Sequence, residues 1–272
     1  MHSTHINKSY CHRGGSTPLL GETIPEYFAN IVKRFPDSEA IVSITQNRRL
    51  TYAQLKSEVD IIACGLLGLG FKKGERIGIW STNNVEWLLV QMATAQIGVI
   101  LVNINPAYRT LELAHALQQS ELHGLFVIPS FRSSDYISML VEMIPELKKH
   151  APENISNQDF NFLKRIIVYD PNVPEETNRP YSGFTTWQEV VQAADNISTQ
   201  KLQEATNSLD MDDAINIQYT SGTTGFPKAV VLTHHNILNN AYFSALAMNF
   251  TESDRLVVPV PFYHCFGMVL AN

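Results

Sequence analysis

The sequence predicts an α/β fold, mostly parallel strands flanked by helices, on three observations. Short apolar runs alternate with longer segments whose apolar residues recur at helical spacing, Gly, Pro and Asn punctuate the joints, and no internal repeat or low-complexity tract breaks the alternation. Strands separated by helices imply crossover connections, and crossovers imply parallel pairing.

Residues 1–22 read as a flexible leader, polar through residue 16 with three histidines and no apolar region of the kind a secretory signal needs. Thr51 can cap a helix whose apolar residues Leu55, Val59, Ile62, Leu66 and Leu67 fall at helical spacing, and Gly70 supplies a left-handed stop. A strand over 76–80, a helix over 84–97, a strand over 99–103, a helix over 109–119, a strand over 122–128, a helix over 133–149 and a strand over 165–169 follow. Residues 171–183, rich in Pro, Glu, Asn and Ser, form a surface loop before a helix over 186–194. A polar approach with Asp210, Asp212 and Asp213 then opens a second unit: strand 214–219, loop 220–228, strand 229–233, helix 234–249 and strand 255–260. A first α/β subdomain is therefore expected over 23–210 and the start of a second over 211–272. The stretch 267–272 reads as the first turn of an apolar helix, too short to bury a face alone. The expectation is a piece of a longer protein.

Composition excludes more than it assigns. A chain of 272 residues with 44% hydrophobic and 17% charged residues has the balance of a soluble globular protein. A formal charge of −6 with scattered Lys and Arg offers no footprint for a nucleic-acid backbone. Cys11, Cys64 and Cys265 match neither a disulfide framework nor a zinc-ligand spacing, which points to a reducing, cytoplasmic setting. The most apolar stretch, 85–104, is broken by Glu86, Gln91, Thr94, Gln96 and Asn103, whereas a spanning helix needs ~20 mostly apolar residues. No transmembrane segment is expected.

The chemistry concentrates in residues 219–230, YTSGTTGFPKAV. Here Thr220, Ser221, Thr223 and Thr224 stand with Gly222, Gly225 and Lys228. Glycines permit close backbone approach, successive N–H groups can form an anion-binding concavity, and a lysine adds a mobile point charge. A polyphosphate suits such a loop. The spacing is not that of a Walker A loop, because only two residues separate Gly222 from Gly225 and Lys228 follows Pro227. The alternative is a Gly/Thr-rich turn joining strands 214–219 and 229–233 as a hairpin.

This loop resembles the signature of the adenylate-forming superfamily, and LTYAQL at 50–55, ATAQIGVILVNINPAY at 93–108 and FYHCFG at 262–267 agree with it. Within the superfamily the likeness is to fatty-acid:CoA ligases and medium-chain acyl-CoA synthetases, from about Thr23 to the last residue. The resemblance implies the large N-terminal domain of such an enzyme, incomplete here, in αβαβα layers. It implies activation of a fatty acid by ATP to acyl-AMP, then transfer to coenzyme A. By resemblance Thr220, Ser221, Gly222, Thr223, Thr224, Gly225 and Lys228 would hold the β- and γ-phosphates, with Thr224 supporting Mg2+. Thr224, Lys228 and His264 are the catalytic candidates, His264 lining the junction of acyl pocket and thiol entry. The implied magnesium-binding acid, ribose-binding aspartate and lysine-bearing C-terminal cap domain find no counterpart among these residues. The family usually carries glycine after the loop lysine, where Ala229 stands. A left-handed φ there would cost an alanine ~1 kcal/mol.

Two readings compete with a ligase deficient as it stands: a non-catalytic nucleotide-binding remnant, and an adenylation domain that loads a carrier protein. FYHCFG and NINPAY favour the acyl-CoA synthetase side. Other features read as structural. The pair His264–Cys265, placed on a strand, would point to opposite faces and make no nucleophile. His234 and His235 start a helix capped by Thr233, GLLGLG at 65–70 ends a helix instead of opening one, and Trp80, Trp87, Tyr108 and Phe126 are core. Asn105, Pro106 and Tyr108 lie where the resemblance implies a strand-to-helix turn over the sheet, read as structural support with substrate contact as the alternative.

Overall fold

A computed structural model describes residues 15–148, 155, 157–173, 181–220 and 227–272. In chain order it contains α1 (Ile24–Arg34), β1 (Glu39–Ser43), β2 (Arg48–Thr51), α2 (Tyr52–Gly68), β3 (Arg76–Trp80), α3 (Val85–Gln96), β4 (Ile100–Ile104), α4 (Thr110–Gln119), β5 (Gly124–Val127), β6 (Ser130–Phe131), β7 (Ser134–Asp135) and α5 (Tyr136–Met143). Then come β8 (Arg165–Val168), β9 (Thr185–Thr186), α6 (Trp187–Ala193), α7 (Thr199–Asn207), β10 (Ala214–Thr220), β11 (Lys228–Thr233), α8 (His234–Ala247) and α9 (Cys265–Leu270).

The local signals act as the sequence dictates. Thr51 forms a capping box with Gln54 at the start of α2, and Gly70, at φ +87°, ends it. The N–H of Gly70 reaches the Leu67 carbonyl and that of Phe71 the Leu66 carbonyl, the paired bonds of a left-handed stop. Asn84 caps α3 through its side chain. The GLLGLG glycines serve packing: a Cβ on Gly65 would lie 2.2 Å from the Val190 carbonyl oxygen, and one on Gly68 2.2 Å from that of Ala193. Close approach of α2 to α6 requires both.

The main sheet runs β11-β10-β4-β3-β5-β8-β9. Every pairing in it is parallel except β10 with β11. The step from β3 to β4 runs toward one edge and that from β4 to β5 toward the other, so right-handed crossovers put α3 and α4 on opposite faces. Packing agrees, since α2 lies against α3 and α6 while α4 lies against α5. The result is one αβα sandwich, with two-stranded ribbons β1/β2 and β6/β7 beside it. The expected boundary at 210/211 falls inside this sheet, because β10 pairs with β4 in register. Ile77, Ile79, Trp80, Val102, Ile104, Leu125 and Phe126 form its buried centre.

Three expectations are corrected. The helix over 133–149 is shorter: β6 and β7 turn the chain before Tyr136, and α5 stops at Met143 before Pro145, which begins a single 3-10 turn. The strand over 255–260 does not form. Those residues find no ladder partner among the described residues, and Val257 is 84% exposed. Tyr108, read as core, is only partly buried, because it sits at the rim of the sheet, whereas Trp80, Trp87 and Phe126 are fully enclosed. The sequence reading did not foresee α1, β1/β2 or α7. Among the described residues no helix is long and apolar enough to cross a membrane.

Candidate functional site

In a doubly wound sheet, ligands gather outside the carboxyl ends of the strands where neighbouring connections leave for opposite faces. Here β3 and β4 are such neighbours, and β10 lies beside β4. Three segments singled out in the sequence arrive at this edge.

The first is the hairpin neck. Thr220 and Lys228 are register partners at the ends of β10 and β11, and both are exposed. Ser221, Gly222, Thr223, Thr224 and Gly225 lie outside the described residues. The hairpin alternative is thus right about the strands, and the Gly/Thr loop connects them. Ala229 sits opposite Tyr219 in β11 and is not among the residues with positive φ. The methyl therefore costs no left-handed strain.

The second is the turn after β4. Asn105 accepts the Ala107 N–H on Oδ1 at 2.9 Å, while its carbonyl accepts the Tyr108 N–H at 3.0 Å and the Trp80 Nε1–H at 3.2 Å. The Tyr136 hydroxyl donates to the Pro106 carbonyl. The turn is thus riveted to the core, as a supporting element should be.

The third is the stretch before α9. The Phe262 N–H donates to Asn83 Oδ1 at 2.7 Å, Asn83 Nδ2 donates to the Val260 carbonyl at 2.8 Å, and Asn103 Nδ2 lies 3.2 Å from the Phe262 carbonyl. His264 is the N-cap of α9, its Nδ1 accepting the Phe266 N–H at 3.3 Å. His264 and Cys265 thus meet at a helix start and not on a strand; Cys265 Sγ lies 3.9 Å from the same Nδ1, which is already engaged. Both side chains are exposed.

Tyrosines of the three segments lie within electrostatic range of one another. Burial raises the Tyr108 hydroxyl above its ordinary pKa, with further increments from Tyr219, Glu112 and Tyr263. Burial likewise raises Tyr219, outweighing its 2.7 Å hydrogen bond with the Ser120 hydroxyl. Both remain neutral at physiological pH, and the Tyr219 hydroxyl is engaged by Ser120 and the Ala116 carbonyl.

Behind the edge, α8 is fastened to the N-terminal segment. Asn239 exchanges two hydrogen bonds with Leu20, at 2.8 and 3.1 Å, and His234 Nδ1 accepts the Ile24 N–H at 3.2 Å. His234 is fully buried, its Nε2 without a hydrogen-bond partner among the described residues, and burial lowers its pKa to about 4. It is a packed helix-start histidine, as expected. Nearby, Lys73 pairs with Asp213 at 2.6 Å. Burial alone would raise that carboxyl, but hydrogen bonds from Lys73 and the Asp210 N–H hold it lower.

Sequence reasoning overlooked the buried carboxamides Asn103, Asn216 and Gln218. The signal was present, since an amide inside an otherwise apolar strand demands a partner, but Asn103 was counted only as a break in an apolar run.

The family profile described as "AMP-binding enzyme" matches residues 28–272. The chain is 41% identical over 252 residues to the Bacillus subtilis protein YngI, provisionally named an acyl-CoA synthetase, covering 93% of this chain and 45% of YngI. It is 39% identical over 266 residues to the mitochondrial medium-chain acyl-CoA ligase ACSF2 of Danio rerio, covering 97% of this chain and 43% of that protein. It thus spans less than half the length of these relatives. Among solved structures, the anthranilate CoA ligase AuaEII in complex with anthranoyl-AMP superposes with a TM-score of 0.72 at 20% identity, covering 93% of this chain and 42% of that one.

Proposed function

This chain belongs to the AMP-binding enzyme family, and from that premise we propose that it serves the ATP-dependent activation of a medium- or long-chain fatty acid to acyl-AMP and the transfer of the acyl group to coenzyme A. One observation carries the reading: the hairpin neck Thr220/Lys228, the turn that follows β4 and the stretch whose Phe262 and Tyr263 carbonyls lie against Asn103 of β4 all arrive at the carboxyl edge of one sheet.

In the first step a carboxylate oxygen bonds to the α-phosphorus of ATP as the bond to the β-phosphate oxygen breaks and pyrophosphate leaves. In the second the thiol sulfur bonds to the acyl carbon, AMP leaves, and the thiol proton passes to solvent. Neither step needs a protein nucleophile, so the protein contributes positioning and charge neutralisation. Thr220, Ser221, Gly222, Thr223, Thr224, Gly225 and Lys228 would cradle the β- and γ-phosphates with hydroxyls, backbone N–H groups and one ammonium. Magnesium, a hard cation that keeps few protein ligands beside substrate phosphates, fits the hydroxyl of Thr224 and would neutralise polyphosphate charge there. Among the described residues no His, Cys, Asp or Glu cluster of three or more is set to hold a metal. His264 would face the acyl carbonyl where the thiol enters. Compartment is proposed as cytoplasmic, from cysteine usage.

The test is fatty-acid-dependent exchange of pyrophosphate into ATP, with octanoate and palmitate, on the 272-residue chain and on any longer product of the same gene. Exchange that Lys228→Ala abolishes supports the ligase reading. Absence of acid-dependent exchange in both proteins overturns it.

A further inference from the structure

The residues before α9 carry His264 without secondary structure to place it. From Glu252 to His264 no strand ladder forms, and Leu256 and Val257 are largely exposed. Something else must hold this stretch against the sheet.

A one-way chain of carboxamides does so. Gln218 Nε2 donates to Asn216 Oδ1 at 2.9 Å. Asn216 Nδ2 donates to Asn103 Oδ1 at 2.9 Å and, with its second hydrogen, to the Leu101 carbonyl at 2.9 Å. Asn103 Nδ2 faces the carbonyls of Phe262 and Tyr263 at 3.2 and 3.4 Å, and Met268 Sδ at 3.2 Å. Gln218 Nε2 also meets that sulfur, at 3.3 Å. All three amides are buried, with exposures of 1% for Asn103, 2% for Asn216 and 6% for Gln218. Polar groups so buried are costly unless paired, and apolar residues of like volume would fill β4 and β10 without that risk. What the amides add is direction. The chain starts two residues before Thr220, where the loop opens, and ends on the carbonyl preceding His264.

We infer that Asn103 is a positioning residue, which through Asn216 and Gln218 fixes the His264 segment relative to the strand entering the phosphate loop, so that a nucleotide on the loop also orders residues 260–266. The coupling to nucleotide rests on the function proposed above, whereas the anchoring of the segment does not.

Hydrogen–deuterium exchange on the 272-residue chain separates the two, using wild type, Asn103→Leu and Asn83→Ala, each with and without MgATP. Asn83 is exposed and bonds the same segment, so its replacement keeps the test open if Asn103→Leu fails to fold. Without nucleotide, amides of 260–266 exchange about tenfold faster in either variant while β3 and α2 stay unchanged. Wild-type protection there in the folded variants overturns the anchoring. With MgATP, wild type gains protection at both 219–230 and 260–266, and Asn103→Leu keeps the first and loses the second, a split that general destabilisation would not produce. Protection at 219–230 alone in wild type overturns the coupling and leaves the phosphate-loop reading standing. Protection at neither peptide overturns the coupling in this chain and passes the functional reading to the exchange assay above, and the nucleotide-free comparison still decides the anchoring.

Discussion

Two stretches look alike in sequence and end in opposite states. ILVNI at 100–104 and RLVVPV at 255–260 are both short, β-branched and apolar. The first is β4, paired on both sides by β3 and β10, with Leu101, Val102 and Ile104 buried. The second has no ladder partner among the described residues, and Val257 stands 84% exposed. An apolar run becomes a strand only where another strand can satisfy its backbone and a helix can cover its faces. Where neither exists, side chains such as Asn83 and Asn103 take over the placement.

Substitutions can break or sharpen that contrast. The largest effect belongs to the centre: Trp80 is fully buried, stacked on Tyr136 and bonded to the Asn105 carbonyl. Trp80→Ala lowers unfolding free energy by about 3–5 kcal/mol in urea titrations. Acid comes next. His234 is neutral in the fold, with a pKa of about 4 against an ordinary 6.5. The folded state therefore binds fewer protons than the unfolded one, its contribution is complete above pH 6.5, and it is lost as pH falls toward 4. The loss reaches about 3 kcal/mol, read as a falling urea midpoint that His234→Gln largely flattens. Thr233→Ala removes the capping box of α8 and costs about 1 kcal/mol. Ala229→Gly costs about 0.5–1 kcal/mol, since glycine weakens an ordinary strand, and leaves nucleotide affinity unchanged. Val257→Ala shifts stability by less than about 0.5 kcal/mol; a larger loss would mean that the stretch 255–260 is buried after all.

The elements that sequence could foretell are those whose causes are local. Thr51, Asn84 and Gly70 mark helix ends by their own chemistry, and β3 lies at 76–80 as expected. Expectation failed where causes are distant. Pro259 and Pro261, which cannot donate to a ladder, are the local warning against a strand at 255–260, but nothing near Asn103 tells that its amide will meet the carbonyls of Phe262 and Tyr263. The candidate site divides likewise. Thr220, Lys228 and His264 stood out as candidates because their residue types are unusual in that company, but the approach of the Tyr108 turn, the Tyr219 strand and the Tyr263 stretch depends on strand order and on the distant side chains Asn83 and Asn103. Ala229 is the reverse case, where a local worry about φ dissolves once the residue lies in β11.

The central claim is that the hairpin neck grips a polyphosphate. Equilibrium titration of the 272-residue chain with MgATP tests it most directly, beside Lys228→Ala. The account predicts saturable binding that Lys228→Ala weakens at least about tenfold, the loss of one charge-assisted contact to phosphate. Equal affinity in the two proteins, or no binding in the wild type, would contradict it.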